Sequence, residues 1–309
     1  MGRRGHGEGP RARPRPLVRR RPERVTADPR PVVLEAAGTR LSALLSEPAG
    51  DRPPLATVVA LHGGGMTASY FDARARPGLS LLELGATLGF AVLAVDRPGY
   101  GRSAAQLPEG VSLSRQTRLL RAGLADFAER HPTGAGTFLL AHSYGGKLAL
   151  SLAAAAGAGD RLLGLDVSGC GHRYAAPPGT TPAAGPSRRD TLRHWGPLRL
   201  YPPGTFRAGR GMTTPMPGRE AAGLPRWPRL FARLAPRVRV PVRLTFAEHE
   251  RWWRHGEPDL ADLAGRFTAS PRVQVDRQPG AGHNISLGWT ARAYHLRALA
   301  FLTECLGPA

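Results

Sequence analysis

Short apolar runs alternate with longer amphipathic segments along most of this chain. Runs at 57–61, 90–95, 137–141, 162–167, 241–246 and 272–276 have strand length and end in turn residues. Helix-forming segments lie between or after them, at 78–88, 113–130, 144–156, 258–269 and 290–305. This rhythm predicts a mostly parallel sheet with helices on both faces. Upstream, the runs 32–36 and 40–46 flank Ala37-Gly38-Thr39 and predict an antiparallel hairpin.

The pattern fails in two places. Residues 1–31 are rich in Arg, Pro and Gly, with almost no apolar positions, and are expected to be a disordered tail. Residues 172–240 are dense in the same three types, with short helical pieces at 189–195 and 226–234. A stretch this long between the sixth and seventh strands reads as an insertion into a single domain, 32–309.

Charge changes the picture less than its size suggests. The net charge is +20, but residues 1–31 hold ten Arg against three acids and residues 172–240 hold thirteen against two. The rest of the chain is near neutral, so no nucleic-acid role is expected. Lysine occurs once, at Lys147. Cys170 and Cys305 make no disulfide framework. No uncharged apolar run reaches spanning length, and the amino terminus lacks the apolar core of a secretory signal. A cytoplasmic protein without membrane contact is expected.

The chemistry gathers where strands end. Ser143 joins the apolar run 137–141 to a helix-forming one, with small residues two before (Ala141) and two after (Gly145). So tight a turn pushes the serine out at the sheet's carboxyl edge. His62-Gly63-Gly64-Gly65 closes an earlier strand. Glu248 and Glu250 close a later one, and His283 follows the last. A third carboxylate, Asp166, sits inside the sixth strand.

Three motifs carry a resemblance to the α/β-hydrolase superfamily over about residues 32–306. They are His62-Gly63-Gly64, Asp96-Arg97-Pro98-Gly99-Tyr100-Gly101-Arg102-Ser103, and Ala141-His142-Ser143-Tyr144-Gly145-Gly146. Two positions depart from the family pattern. Ala141 replaces a glycine, and Ala247-Glu248-His249-Glu250 stands for Gly-x-x-Asp. The resemblance implies a serine hydrolase acting on a small-molecule ester or thioester, with no cofactor and no metal. Ser143 would be the nucleophile and His283 the base. Glu250 would be the acid ahead of Glu248 and Asp166, and the amides of Gly64, Gly65 and Tyr144 the oxyanion hole. The insertion would be a lid, and Trp252, Trp253 and Trp195 would be substrate contacts. His62, His142 and the 96–103 loop are expected to be structural. Acyl transfer or C–C cleavage could use the same residues, and a non-catalytic binding protein is the rival from another class.

Overall fold

The computed structural model describes residues 1–2, 28–178, 188–208 and 211–307. Most of the expected tail, and residues 179–187 and 209–210 of the insertion, lie outside them.

Eight strands form one sheet: β1 (Arg30–Ala36), β2 (Thr39–Ser46), β3 (Thr57–Leu61), β4 (Ala91–Val95), β5 (Thr137–His142), β6 (Leu162–Ser168), β7 (Val242–His249) and β8 (Val273–Gly282). Their order is β1-β2-β4-β3-β5-β6-β7-β8. Strand β2 runs antiparallel to both neighbours, and β3 to β8 are parallel. The first strand begins before the expected tail boundary, because Arg30 and Pro31 already pair with Leu45 and Leu44.

Strand β3 shows why the central runs read as continuously apolar. Val59 and Leu61 enter the core on one face while Val58 and Ala60 enter the core on the other. Side chains alternate across a strand, so a sheet covered on both faces has no polar side. The covering helices are α1 (Leu81–Thr87), α2 (Leu113–Arg130) and α3 (Tyr144–Ala155), then α4 (Arg188–Trp195), α5 (Thr205–Ala208), α6 (Gly218–Gly223) and α7 (Trp227–Leu234) in the insertion, and finally α8 (Glu257–Gly265) and α9 (Ala291–Cys305). Helices α2, α3, α7 and α8 supply one core, α1 and α9 the other. Serine caps start α1 and α2, Ser80 accepting from the Glu83 amide and Ser112 from the Arg115 amide.

The insertion is fastened to the loop after β3. The Thr67 amide donates to Met212 O (2.9 Å), and the Thr214 amide donates to Gly65 O (3.0 Å). Deeper in, Glu220 of α6 forms an ion pair with Arg97, both side chains wholly buried. Glu220 also accepts from the Tyr100 hydroxyl (2.7 Å) and Gln116 (2.9 Å). Arg97 in turn donates to the carbonyls of His62 (2.8 Å) and Gly63 (3.1 Å). Removing one partner leaves the other charge buried and unpaired. Glu220→Ala should therefore lower the unfolding free energy by about 3–5 kcal/mol, read from the urea midpoint at constant slope. A loss under about 1 kcal/mol, the range of exposed pairs, would show that the pair does not hold the insertion.

Candidate active site

Strand β5 ends at His142, and α3 begins at Tyr144, leaving Ser143 alone to make the turn. Its backbone sits at φ 52, ψ −113, a conformation that costs on the order of 1–3 kcal/mol for a residue with a Cβ. The turn needs a glycine at 145, because a Cβ there would stand 2.1 Å from Leu61 O. The Ser143 amide is anchored to Ser168 O (2.8 Å), so the hydroxyl projects from the strand end.

Ser143 Oγ lies 3.1 Å from His283 Nε2. On the other side of the ring, His283 Nδ1 lies 2.7 Å from Glu250 Oε2. Strand β8 explains the histidine's position. The sequence suggests a strand ending at 276, with Pro279 and the glycines in a loop. Instead β8 continues beside β7, through Ala247 with Gln278 and His249 with Gly282. His283 therefore follows the strand directly.

Of the three carboxylates, only Glu250 meets the histidine. Glu248 is exposed and accepts from the Gly280 amide (2.7 Å). Asp166 is buried against Arg243 and accepts from the Tyr294 hydroxyl (2.7 Å). Burial alone would raise the Glu250 carboxyl. The adjoining His283 and the amides of Trp252 and Arg251 outweigh it and hold the group below the usual carboxylate range. Those amides donate to Glu250 Oε1 at 2.8 and 2.9 Å, leaving Oε2 for the imidazole.

The neighbouring histidines are built into the walls. His62 Nε2 accepts from the Arg97 amide (3.1 Å), which leaves Nδ1 to donate to Gly63 O (2.8 Å). His142 sits against Ser168 Oγ (3.1 Å) and stacks on Tyr70. Burial is the main cause that keeps both well below the usual imidazole range. Asp96 reaches beyond its own loop, accepting from the Ala68 amide and the Ser42 hydroxyl, both at 2.7 Å.

The cavity over Ser143 encloses about 70 Å³. Gly64, Tyr144, Trp252, Trp253 and His283 line it from the body. Tyr174, His194, Met216 and Leu224 line it from the insertion. A larger hollow of about 260 Å³ opens beside Thr57, Thr137 and Leu162, the first residues of β3, β5 and β6. Open parallel sheets place their sites at the carboxyl ends of strands, so the smaller cavity is the candidate.

Two expected site residues stand elsewhere. The Gly65 amide donates to the Tyr100 hydroxyl (3.1 Å) and its carbonyl accepts from Thr214, so its backbone is already spent. Trp195 packs edge-on against Tyr201 and Phe206, outside the cavity lining; His194 lines the cavity in its place. Among the lining residues that sequence reasoning does not reach, beside Met66, Tyr174, His194, Leu224 and Asn284, is Lys147, which is 4% exposed. Its rarity as the sole lysine was the one signal available in the sequence. Among the described residues, no cluster of three or more His, Cys, Asp or Glu could hold a metal ion, and no helix is long and apolar enough to cross a membrane.

A family model for the alpha/beta hydrolase family matches residues 58–295. The chain belongs to the alpha/beta hydrolase family. Solved structures similar to this alpha/beta hydrolase include a highly thermostable carboxyl esterase from Bacillus coagulans. It is 16% identical with a TM-score of 0.68, over 91% of this chain and 100% of the esterase. The thioesterase domain from the curacin biosynthetic pathway is 18% identical with a TM-score of 0.58, over 88% and 100%. An epoxide hydrolase from Vigna radiata is 16% identical with a TM-score of 0.57, over 89% and 98%. At such identities the likeness is one of fold. No curated protein gave a significant match to the sequence.

Proposed function

We propose that this alpha/beta hydrolase is a serine hydrolase of carboxylic esters or thioesters. The observation that carries the reading is the hydrogen-bonded line from Ser143 through His283 to Glu250 beneath one cavity. Ser143 Oγ attacks the acyl carbon as its proton passes to His283 Nε2. Glu250 holds the imidazole with hydrogen on Nδ1 and stabilises the imidazolium. Developing charge on the acyl oxygen falls to the amides of Gly64 and Tyr144; the latter opens α3, where backbone donors lack helical partners. His283 returns the proton to the leaving alcohol or thiol. It then deprotonates a water that attacks the acyl-serine, and the acid leaves with Ser143 restored. No cofactor enters this cycle. The carboxyl esterase and thioesterase among the structural neighbours agree with this chemistry.

Exposure of the full chain to a fluorophosphonate should label one residue, Ser143, identified by peptide mass mapping. Absence of label, or label at another serine, would remove Ser143 from the nucleophile's role.

A further inference from the structure

Lys147 is a buried cation with no counter-ion among the described residues. It lies on α3 four residues after Ser143, and both residues line the same cavity. Its ammonium stands 5.2 to 5.6 Å from the ring centres of Tyr144, Trp227, Tyr174 and Trp253. One N–H donates to the Tyr174 hydroxyl (3.0 Å), which itself donates to Leu224 O (2.9 Å). No carboxylate among the described residues lies within ion-pair distance of Lys147. The nearby Glu220 is committed to Arg97, Tyr100 and Gln116. A charge taken out of water is costly unless paired, and aromatic faces recover only part of that cost. The cavity is therefore lined by both the proposed nucleophile and a positive charge unmatched among the described residues.

We propose that Lys147 receives a carboxylate borne by the acyl group, making the preferred substrates esters or thioesters of short dicarboxylic acids. This rests on the hydrolase reading above. The small cavity, lined by both Ser143 and Lys147, admits a short acyl chain of succinyl or glutaryl size. With the carbonyl at Ser143, the far carboxylate reaches the ammonium and completes its hydrogen bonds. Tyr174 and Trp253, stacked on one another, form the wall beside the methylenes.

Burial pulls the Lys147 ammonium down to about 8. The groups facing it are Tyr144 on its own helix, Cys170, Tyr174 and the Glu220–Arg97 pair. Burial pushes the Cys170 thiol up to about 12 and both tyrosines above their usual range. Preference for a carboxylate is thus present below pH 8 and fades as pH rises through 8 and the ammonium loses its proton.

The test compares phenyl hemiglutarate with phenyl valerate on the full chain, each corrected for enzyme-free hydrolysis. Both esters use Ser143 and His283, so the ratio of their kcat/KM isolates the far end of the acyl group. The ratio should favour hemiglutarate in the parent and fall by about 100-fold in Lys147→Met. Lys147→Arg should keep part of it. Equal ratios in parent and Lys147→Met would overturn the proposal. So would a Lys147→Met effect confined to the acetate ester of 4-hydroxybenzoate, which carries its carboxylate on the leaving group. If Lys147→Met does not fold, glutarate should still slow fluorophosphonate labelling of the parent, and less so above pH 8; no protection at any pH would sink the site. Glutarate quenching of tryptophan fluorescence in Ser143→Ala separates the two readings. Quenching without turnover of any ester by the parent would defeat the hydrolase reading and leave the anion site. Valerate turnover without quenching would do the reverse.

Discussion

Exchanging Ser143 for alanine, or His283 for asparagine, should each reduce turnover of a phenyl ester by about 10⁶-fold, and the double variant should lose little more. Serine is a weak nucleophile until a base removes its proton, and the base we propose, His283 Nε2, sits 3.1 Å from Oγ with no second acceptor offered to that hydroxyl among the described residues. Loss of either atom therefore removes the same step, and the effects do not add. The fold should persist in Ser143→Ala, because the Ser143 hydroxyl caps nothing and the elbow is held by backbone bonds. Circular dichroism and melting should match the parent. A Ser143→Ala protein within tenfold of parental turnover would end the covalent mechanism.

Glu250→Gln should cost about 10⁴-fold in kcat, for a reason that can be traced atom by atom. Glu250 Oε1 accepts two amides and Oε2 faces His283 Nδ1. In glutamine the carbonyl oxygen takes the two amides, and the NH₂ turns to the ring. Nδ1 must then accept, so the hydrogen moves to Nε2, and the ring can no longer take a proton from Ser143. Glu248→Gln, altered at an exposed position, should stay within tenfold. Asp166→Asn should act on stability instead, since it strips Arg243 of a buried partner. A parental rate in Glu250→Gln beside a crippled Glu248→Gln would move the acid's role.

The central strands were legible because a sheet buried on both faces leaves its period in the sequence, as β3 and β5 show. Ser143, His283 and Glu250 were legible because each follows a strand end. The far end of β8 was not. Proline and glycine at 279–282 carry the marks of a turn, and only pairing with β7 makes them extended. Gly65 directly follows the His62-Gly63-Gly64 motif, but that pattern could not show that Tyr100, from another loop, would occupy its amide. The Arg97–Glu220 pair joins residues 123 positions apart, one in the loop after β4 and one in the insertion. Local pattern holds no trace of such a contact. Lys147 sits in a helix-forming run where one basic residue looks unremarkable, and its aromatic surround comes from four separate stretches of chain.

The buried pair between α6 and the loop after β4 also bears on how this protein can be re-engineered. Arg97 grips the two carbonyls that shape the loop carrying Gly64, and Glu220 grips Arg97. The insertion is thus no interchangeable cassette. A chimera that takes its cap from a relative lacking an acid at this place would strand a guanidinium beside the catalytic floor. Swaps should succeed only when residues 97, 100, 116 and 220 travel together, as a single unit of inheritance.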